Sequence, residues 1–390
     1  MKEHRKLWKL AALVAAIGIL GNSKGYACAQ ENNAAQIPNP GVTFTENVSA
    51  NSYSRARYDF GASTIKSYLF PNGDGTLTRL EYYNGEIFLE DYYKDLRLLN
   101  RNSGRYSIPM ELELFGGAFV GEKYNWIVFG QNNLDESNEV ETYRIVKYSK
   151  DWERLDDCRI YGANTQAPFA QGNCRMAEYN GNLFIRTCHT MYKSADGVNH
   201  QANAILKIDE QTMVYSGLAG FEGGYVGHSF DQFVDTTDGQ LTAVDLGDAY
   251  PRAIVWFKYE AGAADSMVLH QWASSSNVLS IAEADNSEDS FAYNATGVSI
   301  GGYQVSADHY LVAYSSVDQF SASSAIYQTG SEAPRNIYVA AMPRNGQSDT
   351  WETVQITDYA EGQAYTPQFI KIADDKYLLI WEYVTGNQEY

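Results

Sequence analysis

The chain has little of what would name a chemistry. Its four cysteines among 390 residues are too few for a disulfide scaffold, and none lies in a Cys-x-x-Cys or zinc-like spacing. There is no Gly-x-Ser-x-Gly elbow, no His-Glu-x-x-His motif and no phosphate-binding loop. The common signatures of serine hydrolases, zinc proteases and nucleotide-binding enzymes are therefore missing. No Asp-x-Asp-x-Asp-Gly loop occurs either. Asp235-Thr236-Thr237-Asp238-Gly239 reads as a hairpin turn, so calcium remains a candidate cofactor without a motif. Basic residues are scarce, with 29 Lys and Arg against 48 Asp and Glu and a formal charge of −19. A surface of that sign repels phosphates and anionic lipid, so neither nucleic acid nor a membrane surface is an expected partner. Amphipathic helices longer than three turns are absent as well. Only Val278 to Glu283 reads as a brief helix.

The N-terminus reads as an export signal. Lys2, Arg5, Lys6 and Lys9 form a basic start, Leu10 to Leu20 an apolar core, and Ala27-Cys28-Ala29 a small-x-small cleavage site. The apolar core is well short of the roughly 20 residues that span a membrane. We therefore expect residues 1–29 to be removed, no membrane insertion afterwards, and a secreted or cell-surface location. Cleavage removes five basic groups and one acidic group, taking the formal charge from −19 to −23. Three cysteines remain, Cys158, Cys174 and Cys188, and the odd count favours buried thiols. Residues 30–40 form a polar linker before a single domain over 41–390.

What the chain does have is a pattern that returns about every sixty residues. Gly73-Asp74-Gly75, Gly121-Glu122-Lys123, Tyr179-Asn180-Gly181, Thr237-Asp238-Gly239, Ala307-Asp308-His309 and Ala373-Asp374-Asp375 each precede a short apolar or alternating run. Such self-similarity marks a repeat architecture. With 14% aromatic residues and turn chemistry between short strands, it predicts an all-β fold. The expected fold is a β-propeller of about six or seven four-stranded blades, with a pair of β-sandwiches as the rival. The last unit stops after two strands. Either Val42 to Phe60 supplies its outer strands or the sequence is a piece of a longer protein, and the second is favoured.

In a propeller the entry to each first strand and the exit from each second strand meet at one end, which is where ligands bind. The third and fourth units are polar at those places. Arg175 opens one first strand, and Arg186-Thr-Cys-His189 closes the second, before an expected loop from Tyr192 to Asn203 that carries His200. Gly227-His228-Ser-Phe-Asp231-Gln232 opens the next, and Asp245-Leu-Gly-Asp248-Ala-Tyr250-Pro-Arg252 follows its partner. The expected ligand-binding set is Arg175, His189, His200, His228, Asp231, Gln232, Asp248, Tyr250 and Arg252. Paired hydrogen bonds from such groups suit a polyhydroxylated or carboxylate-bearing ligand. Asp231, Asp245 and Asp248 are candidate catalytic carboxylates for a glycosidase.

Met191-Tyr192, Asp196-Gly197, Asn199-His200-Gln201, Gly227 to Phe233 and Gly247 to Arg252 resemble stretches in large bacterial surface proteins without an assigned activity. The resemblance covers about a third of the chain and implies a secreted β-propeller. Lys193-Ser-Ala-Asp196-Gly-Val-Asn-His200 distantly resembles the sialidase aspartate box, but its glycine is one place early and its tryptophan is absent. No sialidase residue carries over. The expected function is an extracellular binding module that presents a ligand face to a glycan or a surface protein. The alternatives are a glycoside hydrolase or lyase with axial carboxylates and a purely structural domain, and the sequence does not decide whether the protein is an enzyme.

Overall fold

The computed structural model describes residues 62, 64–99, 105–216, 227–250, 252–259, 272–281, 297–319, 333–345, 350–373 and 376–385. The expected export signal, the expected linker and the segment 42–60 lie outside the described residues. Sheet 1 holds β1 (Ser67–Pro71), β2 (Leu77–Tyr83), β3 (Glu86–Tyr92) and β4 (Arg105–Ile108). Sheet 2 holds β5 (Leu114–Val120), β6 (Asn125–Gly130), β7 (Glu141–Tyr148) and β8 (Arg154–Tyr161). After the short β9 (Thr165–Pro168), sheet 3 holds β10 (Arg175–Tyr179), β11 (Asn182–Lys193), β12 (Asn199–Asp209) and β13 (Tyr215–Ser216). Sheet 4 holds β14 (Gly227–Asp235), β15 (Thr242–Tyr250), β16 (Ala253–Tyr259) and β17 (Trp272–Ser280), and it touches sheet 3 through the pairing of Ala202 with Gly227. Sheet 5 holds β18 (Val298–Val305), β19 (His309–Ser316), β20 (Asn336–Pro343) and β21 (Glu352–Gln355). Sheet 6 holds β22 (Gln363–Ala373) and β23 (Lys376–Val384).

Every sheet is antiparallel, and each of the six turn signals falls between the first and second strand of its sheet. At Gly75, Gly181 and Gly239 the backbone has positive φ, a conformation that glycine adopts without the clash a side chain would bring.

Middle strands are rich in buried apolar residues on both sides because both of their faces are covered. In β6, Trp126 and Val128 join the core shared with sheet 3, while Ile127 and Phe129 join the one shared with sheet 1. In β11, Leu183 and Ile185 face sheet 2 while Phe184 packs with Ala243, Val255 and Phe257 of sheet 4. Val244 and Leu246 of β15 pack with Val298, Ile300 and Val312 of sheet 5, and Ala313 packs with Ala364 and Leu379 of sheet 6. Each fully buried side chain of this size contributes on the order of 1.5–3 kcal/mol.

First strands also lie side by side: β5 with β10, β10 with β14, β14 with β18 and β18 with β22. Their close approach is built from small residues. A Cβ on Gly117 would sit 3.0 Å from the Tyr68 hydroxyl and from the Cys174 carbonyl, and one on Gly301 would overlap the backbone of Pro367. Bulges interrupt β5 at Phe115–Gly117, β14 at Ser229–Gln232, β18 at Ile300–Gly302 and β22 at Tyr365–Gln368. Sheets that meet along their first strands and each cover the next are arranged radially. The fold is a β-propeller. Two separate sandwiches would leave one face of every sheet in solvent, which the doubly covered β6, β11 and β15 exclude.

Two local expectations are corrected. Val278–Ser280, expected to start a helix, belongs to β17, where Val278 enters the core between sheets 4 and 5; residues 282–283 lie outside the described residues. The expected loop from Tyr192 to Asn203 is mostly strand, with β11 and β12 paired out to Lys193 and Asn199.

At the far side of sheet 6, Ile370, Ile372 and Ile380 are exposed. Cys158, Cys174 and Cys188, by contrast, are buried thiols.

The close approach of β18 to β22 gives a direct test. Gly301→Ala should destabilise the fold by about 1–3 kcal/mol in urea titration. Gly73→Ala, which would meet no heavy atom within 4 Å, should be close to neutral.

Candidate functional site

The polar residues singled out in sheets 3 and 4 divide into a buried group and a surface group. Asp231 lies in the bulge of β14, the place where β5 and β18 carry Gly116 and Gly301. Its Oδ2 accepts the Ile300 backbone N–H at 3.1 Å, from the residue just before the β18 bulge. Its Oδ1 is buried and has no partner among the described residues. Burial pushes this carboxyl from 3.8 up to about 7, against the pull of the Ile300 amide and the Arg175 guanidinium. Asp231 is therefore largely a neutral acid below neutral pH. Arg175, at the start of β10, lies over the Phe233 ring with its guanidinium carbon 4.0 Å from the centroid.

Gln232 is a clamp. Its Oε1 accepts the Asn173 N–H at 2.8 Å, and its own N–H donates to Asn173 Oδ1 at 3.0 Å. Its Nε2 donates to Ser229 Oγ at 2.8 Å. Gln201 ties the Ser229 backbone to the Ala170 carbonyl. Gly172 has no room for a side chain between Cys188 Sγ and the Gln232 amide. The segment 169–173 is thus fastened over the start of β14, with Phe169 and Gln171 at positive φ.

Asp245, expected as a candidate catalytic carboxylate, is instead half of a fully buried ion pair. Arg186 grips it through Nη2 to Oδ2 and through Nε to Oδ1 at 3.1 Å. Asn203 Nδ2 donates to Oδ2 at 2.6 Å, and Arg186 Nη1 donates to the Tyr259 hydroxyl at 3.2 Å. Burial alone lowers Arg186, but Asp245 and Tyr259 more than restore it, and it stays charged. Burial raises Asp245 while Arg186 and Asn203 pull it back. This network bolts sheet 3 to sheet 4.

His189 is also structural. Thr165 donates its hydroxyl proton to the Ala163 carbonyl, so at 2.7 Å it can only accept from His189 Nδ1. Nε2 is then a bare acceptor with no partner among the described residues. Burial pushes His189 down to about 4, and it is neutral at physiological pH.

His200 lies on the β11–β12 hairpin tip, bonded to Asp196 Oδ2 at 2.7 Å and away from the buried group. His228 is half-buried, with φ 53 at the start of β14. Arg252 is half-buried before β16, and its carbonyl accepts the Ile281 N–H at 3.0 Å. Asp248 and Tyr250 lie in β15, where Gly247 pairs with Ser229 and Tyr250 with Gly227; their side chains are outside the described residues. The structure thus brings Arg175, Asp231 and Gln232 together and leaves His200 elsewhere. Sequence reasoning missed Asn173, Gln201, Asn203, Tyr259 and the Ile300 amide. The doublets Gly116-Gly117 and Gly301-Gly302 were an available signal, since they mark the positions that Asp231-Gln232 occupies in sheet 4. Among the described residues, no group of three or more His, Cys, Asp or Glu side chains is placed to hold a metal ion.

No protein-family model matches the chain, and no curated protein matches it. Among solved structures it is similar to an alpha-L-arabinofuranosidase from Lactobacillus brevis, with 11% identity over 87% of this chain and 90% of that one and a TM-score of 0.39. It is similar to a GH43 enzyme from Xanthomonas citri complexed with xylose, with 14% identity over 65% and 76% and a TM-score of 0.33. A third likeness is to an exo-beta-1,3-galactanase from Phanerochaete chrysosporium, with 10% identity over 61% and 48% and a TM-score of 0.34.

Removing one partner of the buried pair should leave the other charge stranded. Asp245→Ala should cost about 3–5 kcal/mol in chemical denaturation, and Arg186→Met with Asp245→Leu clearly less than the sum of the single changes.

Proposed function

We propose that the protein is a glycan-acting propeller, a glycoside hydrolase in which Asp231 is the proton donor. The observation that supports this is Asp231 itself: a carboxyl at a first-strand bulge, kept protonated toward neutral pH, with one oxygen on the Ile300 amide and the other uncommitted. A general acid works best with a pKa near its operating pH, and glycosidases raise one carboxyl of their pair for this purpose. Asp231 would protonate the leaving glycosidic oxygen. The reading assigns the second carboxylate to Asp248, which the β15 backbone carries to the same end of sheet 4. Arg175 beside Asp231 would hold a hydroxyl or carboxylate of the sugar.

Two observations favour a second reading, glycan binding without turnover. Asp245 is fully engaged by Arg186, and Asp231 has no exposed surface. An export pathway and a surface location fit either reading.

A panel of aryl glycosides and plant and host polysaccharides, run alongside a glycan array, separates the two. Hydrolysis by the wild type that falls roughly 10²–10⁴-fold in Asp231→Asn supports the enzyme. Its rate should decline as pH rises through about 7, where Asp231 loses its proton. Array binding with no released sugar would replace the enzyme with the binding module. The same proton gives a stability signature. The folded chain keeps it up to about pH 7, whereas the unfolded chain releases it near 3.8. This contribution is full below about pH 4 and is lost as pH rises to 7, so Asp231→Asn should flatten that part of the stability curve.

A further inference from the structure

At the hairpin-turn end of the junction between sheets 2 and 3, away from Asp231, two glutamates meet. Glu178 sits near the end of β10, and Glu210 directly follows β12. After burial, the Glu178 carboxyl is the neighbour that does most to raise Glu210, through hydrogen bonding and through its charge. Each carboxyl has one buried oxygen, Oε1 in both, that no donor among the described residues satisfies. Two carboxylates cannot donate to one another, so unsatisfied oxygens on a facing pair are what remains when a shared proton is left out of account.

The surroundings fix both groups. Glu178 Oε2 accepts the Glu122 backbone N–H at 2.6 Å, and its carboxyl occupies the space a Cβ on Gly121 would need. The Glu210 N–H donates to the Gly181 carbonyl at 2.9 Å, and its own carbonyl accepts from Lys147 Nζ at 2.9 Å. The nearby cations have other duties. Lys147 lies 5.1 Å from the Tyr124 ring centroid, and Lys150 donates to the Gly121 carbonyl at 2.6 Å. Lys123 and Asp209 act on Glu210 in opposite directions, and burial lowers Lys150 while the Glu178 charge raises it.

We propose that Glu178 and Glu210 share one proton and form a clasp that closes sheet 2 onto sheet 3, releasing when that proton is lost. Burial, and then the neighbouring Glu178, push Glu210 up to about 8 from an ordinary 4.5. The folded chain therefore holds a proton that the unfolded chain gives up near 4.5. The clasp stabilises fully below that value and weakens as pH rises through about 8. With the proton gone, two like charges face each other, and the least buried of them, Glu178, leaves the Gly121-Glu122 turn.

The test uses the intact protein with glutamate side-chain carboxyls labelled with carbon-13, so that no aspartate contributes. One glutamate signal should titrate near pH 8 and vanish in Glu210→Gln, and amide exchange at Glu122 should quicken over the same range. Glu210→Gln supplies a permanent N–H donor to Glu178. It should keep the Glu122 amide protected at pH 9 and remove the fall in thermal midpoint between pH 5 and 8. The labelled wild type alone keeps the test decisive if that variant does not fold. Glutamate signals that all titrate below about 6, or a Glu122 amide equally protected at pH 6 and 9, would overturn the clasp.

Discussion

Sheets that are covered on both faces have no side on which to place an unpaired polar residue at low cost, and that constraint organises the molecule. In β6 the whole middle run is apolar, because alternate side chains enter different cores, and β11 and β15 admit a buried charge only where it is paired, as Arg186 is with Asp245. Polar groups without such a partner are pushed to the strand ends and to the first strands, where the sheets converge. There the backbones come close enough for Gly117 and Gly301 to matter. Asp231, placed at the equivalent bulge, is buried because its position is crowded, and its raised pKa follows from the same crowding.

The convergence also explains why the polar residues of sheets 3 and 4 take different roles despite similar sequence surroundings. Arg186 and Asp245 lie on the second strands, between two sheets, and satisfy each other completely. Gln232 is used to hold a crossing segment through Asn173. Asp231 faces sheet 5, where the only donor it meets among the described residues is a backbone amide. Chemistry is available where the packing leaves a group incompletely satisfied.

The repeat and the β class were legible because turn residues and apolar runs act locally. All six turn signals mark real first hairpins, and the runs beginning at Asn125, Asn182 and Lys376 are strands. The misreadings have physical causes. Tyr192 to Asn203 looked like a loop because it is polar. Its strands instead pair with each other in a hairpin, and distant side chains such as Glu136, accepting from Asn199 Nδ2 at 2.7 Å, satisfy their polar groups. Val278 lost its helical reading to a neighbour, β16, which supplies the backbone pairing. For the site, the sequence located the right two units and named Arg175, Asp231 and Gln232. It could not tell Asp231 from Asp245, because the difference lies in partners such as Arg186 and Ile300, 59 and 69 residues away.

Because every first hairpin turns at the same end, the molecule has two unequal poles. At one of them, Gly73 to Gly75 forms a tip with open space around it. A fluorophore or surface tether grafted there would leave the opposite pole free to meet whatever it meets, so the chain can be displayed in a single known orientation.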